Sequence, residues 1–73
     1  MMRNKFDRQL EELNVELIKM GALCEDAISA SAKALIDNNV SLIENVFMLE
    51  DEINNKERHI QDMCMRLLLH QQP

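Results

Sequence analysis

The feature that most constrains this chain is a pair of long apolar stripes, in which residues repeat at alternating steps of four and three with no proline between them. Such steps keep a stripe on one side of an α-helix. The first stripe consists of Phe6, Leu10, Leu13, Leu17, Met20, Cys24, Ala27, Ser31 and Ala34, and the second of Leu42, Val46, Leu49, Ile53, Lys56, Ile60, Met63 and Leu67. Because a short polar turn around Asn38-Asn39 joins them, the stripes predict a long antiparallel αα-hairpin.

The predicted fold is therefore all-α, a single hairpin over residues 1–73. Helix 1 is expected over about 5–36, the turn over 37–40 and helix 2 over about 41–70. Asn38 suits a left-handed residue at the end of helix 1. Helix 2 is capped either by Asn39 or by a capping box of Ser41 and Glu44. Gly21 is expected to let a neighbouring helix approach closely.

The apolar surface is wider than a two-stranded contact requires, since Ile18, Ile28, Leu35 and Phe47 lie beside the stripes. Exposed, such a surface favours aggregation. We therefore expect self-association, most simply as a homodimer of two hairpins that completes a four-helix bundle. The alternative is that the chain is a piece of a longer protein. The predicted self-association residues are Leu13, Leu17, Met20, Leu49, Ile53 and Ile60.

Charge and hydropathy limit the partners. The formal net charge is −5 and the eight basic residues are scattered, which disfavours nucleic acid because phosphate binding needs clustered Lys and Arg. No apolar run approaches the ~20 residues that span a bilayer, so a cytoplasmic location without membrane insertion is expected. Cys24 and Cys64 are predicted to lie at different levels of the hairpin, too far apart for a disulfide.

The best candidate for a site is the acidic segment of helix 2 that contains Glu50, Asn54 and Glu57, which share one face. Carboxylate and amide oxygens at such spacing suit a metal ion. The competing interpretation is an ordinary solvated face. Lys56 is expected to pair with Glu52 one turn earlier and to extend its ammonium group to water. His59 and His70 have no partner at ligand spacing, and no catalytic arrangement is present, so the sequence predicts no enzyme.

Several ordered motifs resemble the N-terminal part of the PhoU family of phosphate-uptake regulators. The motifs are Phe6-Asp7-x-x-Leu10-x-x-Leu13, Met20-Gly21-x-Leu23-x-Glu25-x-Ala27-Ile28, the stretch from Asn39 to Val46, Glu50-Asp51-Glu52-Ile53-Asn54-x-x-Glu57 and Arg66-Leu67-Leu68-Leu69-His70-Gln71-Gln72-Pro73. The resemblance implies two similar three-helix bundles, of which this chain would supply the first two helices of the first bundle.

The resemblance also implies metal and partner binding. The family holds iron, zinc or manganese clusters with an acidic residue followed four positions later by Asp. Glu50 and Asn54 occupy that motif here, and the missing charge at Asn54 should weaken binding. The implied role is repression of the phosphate-starvation response through the phosphate transporter's ATPase subunit and a sensor histidine kinase. The alternatives are a generic helical dimerisation module and a weak metal-binding helical protein.

Overall fold

The chain is a hairpin of two long helices, as the stripes predict. The computed structural model describes residues 4–70, within which α1 spans Lys5–Asp37 and α2 spans Val40–His70. The helices lie antiparallel, since residues far apart in sequence, such as Gln9 and His70, meet beside each other. The principal dimensions, 54 × 23 × 12 Å, are those of a flat rod. The prediction of an all-α hairpin is confirmed.

The start of α1 is fixed by Asn4. Its Oδ1 atom accepts a hydrogen bond of 2.8 Å from the backbone N–H of Asp7, and its carbonyl oxygen accepts from the N–H of Arg8. A side-chain cap of this kind satisfies one of the free N–H groups at a helix start and stabilises the helix by about 1 kcal/mol. Asp7, in the first turn, also places a negative charge at the positive end of the helix dipole.

The turn between the helices depends on two asparagines. Asn38 ends α1 in the left-handed conformation, with φ 49° and ψ 46°, as its residue type predicts. The Asn39 side chain then accepts a hydrogen bond of 2.9 Å from the N–H of Ser41, and the Asn39 carbonyl accepts from the N–H of Ile43. Of the two caps considered for helix 2, the structure therefore uses Asn39, and α2 begins at Val40.

The core is a thin seam between the helices. Only Ala30, Ala34, Ile60 and Leu67 are buried in the part of the chain that the structure describes. The two alanines lie near the turn, where small side chains let the helix backbones come close. The seam, defined by its buried and half-buried positions at alternating steps of three and four, comprises Phe6, Gln9, Leu13, Glu16, Met20, Leu23, Ala27, Ala30 and Ala34 on α1 and Leu42, Val46, Leu49, Ile53, Lys56, Ile60, Met63 and Leu67 on α2.

The seam differs from the predicted first stripe at alternate positions. Leu10 and Leu17 were assigned to the stripe but are 43% and 49% exposed, whereas Gln9 and Glu16 are half-buried in their place. Adjacent positions obey the same seven-residue repeat, so the spacing alone does not choose between them. In these positions Gln9 and Glu16 both have polar partners on α2.

Candidate functional site

The two sides of the hairpin that adjoin the seam differ in polarity. On one side every position next to the seam is polar and exposed, and we call this side the charged flank. Its shallow grooves bring residues of both helices together, as with Asp26, Lys33 and Asn45, or Glu12 and Arg66. The charged flank comprises Glu12, Lys19, Asp26 and Lys33 on α1 and Asn45, Glu52, His59 and Arg66 on α2.

The other side of the seam is largely hydrophobic, and we call it the apolar flank. Near the open end of the hairpin, Leu10, Cys64 and Leu68 line a groove together with Phe6 and Leu13. The positions at seven-residue spacing from these continue the surface toward the turn. The apolar flank comprises Leu10, Leu17, Cys24, Ile28 and Leu35 on α1 and Ile43, Phe47, Cys64 and Leu68 on α2. Except for the half-buried thiols Cys24 and Cys64, which are both free, these residues are exposed.

The predicted metal ligands lie in the middle of this flank. Glu50, Asn54 and Glu57 are all exposed on α2, where they interrupt the apolar surface between Phe47 and Cys64. Within residues 4–70, no group of three or more His, Cys, Asp or Glu side chains is arranged to hold a metal ion. Two carboxylates and an amide on one helix face leave a metal ion short of ligands, so one hairpin does not fit a metal cluster. Metal binding at these residues stays a prediction.

An ion pair crosses the seam near its middle. The Lys56 Nζ atom donates a hydrogen bond of 2.6 Å to Glu16 Oε2, and the two side chains are 24% and 18% exposed. This hydrogen bond is the main reason that the pKa of the Glu16 carboxyl lies below its ordinary value. The charges of Lys56, Lys19 and His59 lower the pKa further, while partial removal from water opposes them.

The sequence predicted the wrong partner for Lys56. Lys56 was expected to pair with Glu52 and to extend into water, but its ammonium group pairs with Glu16 on the other helix. The signal that could have found the pair is a lysine within one apolar stripe and a glutamate at seam spacing on the facing helix. The predicted close packing at Gly21 is also not found, since no atom of the described chain would lie within 4 Å of a Cβ at this position.

The six predicted self-association residues occupy two different places. Leu13, Met20, Leu49 and Ile53 are half-buried and Ile60 is buried, all within the seam of the single hairpin. The remaining one, Leu17, lies on the apolar flank. Self-association itself stays a prediction, and the surface that the hairpin leaves uncovered for it is the apolar flank.

Comparison with known proteins identifies the family. The model of the PhoU domain matches residues 17–73, a range that includes most of α1 and all of α2. The chain belongs to the PhoU domain family. Relatives resemble it over nearly its whole length. The phosphate-specific transport system accessory protein PhoU homolog of Pseudomonas aeruginosa is 36% identical over 69 residues, which are 94% of this chain and 28% of that protein.

Other PhoU relatives show the same coverage. The homolog of Clostridium acetobutylicum is 33% identical over 73 residues, all of this chain and 33% of the relative, and that of Aquifex aeolicus is 36% identical over 69 residues. The chain thus spans about a third of the length of the PhoU proteins it matches. No solved structure matches significantly. Over the residues described, neither helix of this chain is long and apolar enough to cross a membrane.

Proposed function

We propose that this chain takes part in regulating phosphate uptake and the phosphate-starvation response, and that it acts in the cytoplasm by contacts with other proteins. The observation that carries the proposal is the 36% identity, over 94% of the chain, to a protein named as an accessory protein of the phosphate-specific transport system. The proposed partners are the ATPase subunit of the phosphate transporter and the sensor histidine kinase of the starvation response.

The surface of the hairpin supports a role in protein contacts. Ile28, Leu35, Ile43 and Phe47 expose much of their side chains on the half of the apolar flank nearest the turn. Large apolar side chains exposed on one side of a hairpin are typical of a protein–protein contact surface. The proposed mechanism is therefore recognition and docking without a chemical step.

A metal ion is not assigned a role in this proposal. Glu50, Asn54 and Glu57 alone supply too few ligands for a cluster, and Asn54 lacks the negative charge of an aspartate. A metal held there would need ligands from a further chain or segment.

The proposed function is tested by deleting the coding region in the host and measuring alkaline phosphatase in phosphate-rich medium. We expect deletion to raise phosphatase activity, and a plasmid-borne copy of the chain to restore repression. Repression that is unchanged by deletion would contradict the proposal. A copy carrying Phe47→Glu should fail to restore repression, whereas Met48→Glu should restore it, because Met48 has the same exposure but points away from the apolar flank.

The alternative function is that of a dimerisation module without a role in phosphate regulation. Affinity purification of the tagged chain from phosphate-rich cells separates the two hypotheses. Recovery of the transporter ATPase subunit or the sensor kinase supports the regulatory role. Recovery of only further copies of the chain favours the dimerisation module.

A further inference from the structure

We propose that the outer half of α1, residues 5–20, has a second rotational setting about its own axis. In that setting Leu10 and Leu17 enter the seam. The polar residues Gln9 and Glu16 leave it, and the ion pair that now crosses the seam is the latch that holds the observed setting. The proposal concerns the hairpin itself and does not depend on the proposed role in phosphate regulation.

The two settings of the outer half obey the same seven-residue repeat. Both keep Phe6, Leu13 and Met20 in the seam, and they differ in which of two adjacent residues fills each position in between. Adjacent helix residues point about 100° apart, so exchanging every second contact needs a rotation of about 50°. Because a helix drifts by about 20° per seven residues relative to a 3.5-residue repeat, a slight change in winding across the outer half supplies most of this rotation with the backbone hydrogen bonds intact.

The part of α1 nearer the turn already accommodates both alternatives. Leu23 and Cys24 are both half-buried, and the half-buried Ser31 lies next to the buried Ala30. In the outer half, both leucines of the second setting remain exposed. The second setting therefore extends to the outer half a pattern of burial that the rest of α1 already shows.

Hydrophobic burial favours the second setting. Leu10 and Leu17 are 43% and 49% exposed, whereas Gln9 and Glu16 are half-buried. Exchanging these pairs removes apolar surface from water and returns polar groups to it. Leu10 also borders an open apolar groove together with Leu68, and this groove leaves room for Leu10 to move toward α2.

Polar contacts across the seam favour the observed setting. The Lys56 Nζ atom lies 2.6 Å from Glu16 Oε2, and both side chains are largely shielded from water. At the open end, the His70 Nδ1 atom lies 3.2 Å from Gln9 Oε1 in a more exposed contact. Rotation of the outer half carries Glu16 away from Lys56 and leaves a part-buried ammonium group without its partner, which is costly. The ion pair is therefore the main force that opposes the rotation.

The setting of the outer half decides how much apolar surface the hairpin presents at its open end. In the observed setting Leu10 and Leu17 belong to the apolar flank, and in the second setting α2 covers them. A contact that separates Lys56 from Glu16 therefore changes the surface on the apolar flank. The latch in this way couples an event at the seam to the surface available for docking.

The test measures two distances between spin labels within one chain. One label is attached to Met65→Cys, on the exposed face of α2 away from the seam. The second label is attached either to Glu12→Cys, which gives the first distance, or to Asn14→Cys, which gives the second; both positions are exposed, on opposite sides of α1. The native thiols are replaced by Cys24→Ala and Cys64→Ala, and circular dichroism checks that the helices are kept. Dilution with unlabelled chain restricts the measurement to distances within one molecule.

We expect Lys56→Met to lengthen the first distance and to shorten the second. Each change should be roughly 5 Å, the arc that a rotation of about 50° gives at the surface of a helix about 10–12 Å in diameter. Opposite signs identify a rotation, because separation of the two helices would lengthen both distances. Lys19→Met is the matched control: Lys19 lies 3.9 Å from Glu16 but is exposed, and its replacement should leave both distances unchanged.

Charge reversal provides an independent variant. Glu16→Lys places two ammonium groups opposite each other across the seam, and their repulsion should produce the same pair of changes. Adding Lys56→Glu restores an ion pair with the charges exchanged and should return both distances to their wild-type values. A Lys56→Met or Glu16→Lys chain that keeps its helices but leaves both distances unchanged, or lengthens both, would overturn the proposal. An equal effect of Lys19→Met would overturn it as well.

Discussion

The ammonium group of Lys56 lies 2.6 Å from the carboxylate of Glu16, forty positions earlier in the chain. These two are the seam's only charged side chains among the residues that the structure describes. An ion pair at one level of a mostly apolar seam favours the alignment that keeps the charges together, since a shift of one helix leaves both unpaired. We therefore expect the pair to favour this register of α1 against α2.

The stability of the hairpin should fall in acid partly through Glu16. The pKa of its carboxyl is lowered in the folded chain, so its stabilising contribution is complete above the unfolded pKa of about 4.3. That contribution is lost as the pH falls from there through the lowered folded pKa. The thermal unfolding temperature of Glu16→Gln should therefore be lower than that of the wild type at pH 7. This difference in unfolding temperature should shrink as the pH falls below about 4. The exposed Glu12→Gln is the control, and an equal pH dependence of all three proteins would contradict this role of Glu16.

Leu67 should contribute more to stability than any neighbouring leucine. It is the most buried side chain in the described range, whereas Leu69 is largely exposed on the same turn of α2. Leu67→Ala should lower the free energy of unfolding by about 2–5 kcal/mol, the usual cost of truncating a buried leucine. Leu69→Ala should change it by less than about 0.5 kcal/mol. Chemical denaturation at one fixed chain concentration measures both, and similar losses for the two variants would show that the seam is placed wrongly.

The left-handed conformation of Asn38 predicts how the turn responds to substitution. Its φ is 49°. Glycine adopts this angle freely because it has no Cβ, and asparagine tolerates it because its short polar side chain can hydrogen-bond locally, whereas most other residues are strained there. Asn38→Ala should destabilise the chain by about 1–2 kcal/mol. Asn38→Gly should stay within about 0.5 kcal/mol of the wild type. If urea denaturation showed Asn38→Gly to be less stable than Asn38→Ala, the helix would not end in the conformation described.

Metal binding to one chain should be weak. Calorimetric titration with iron(II), zinc or manganese should show only weak binding, because two carboxylates and an amide supply few ligands. Glu50→Ala should abolish the heat of binding, and the control Glu52→Ala on the charged flank should preserve it. Identical titrations of wild type and Glu50→Ala would remove Glu50 from the site.

The local features of this protein could be predicted from short stretches of sequence. The stripes give two helices, and Asn38-Asn39 gives a turn between them, because helix periodicity and capping depend on residues within one or two turns. The resemblance to the PhoU family rests in the same way on motifs that can be read in order along the chain. The acidic residues Glu50 and Glu57 could be placed on one face, although spacing does not say whether a metal binds there.

The rotation of α1 about its own axis was decided by contacts between the helices. The sequence by itself determined that the helices form and that each carries an apolar stripe. Only the tertiary structure decided that Gln9 and Glu16 enter the seam while Leu10 and Leu17 remain on the apolar flank. The physical reason is that a seven-residue repeat is satisfied equally by adjacent positions, and the choice depends on partners such as Lys56 that only folding brings near.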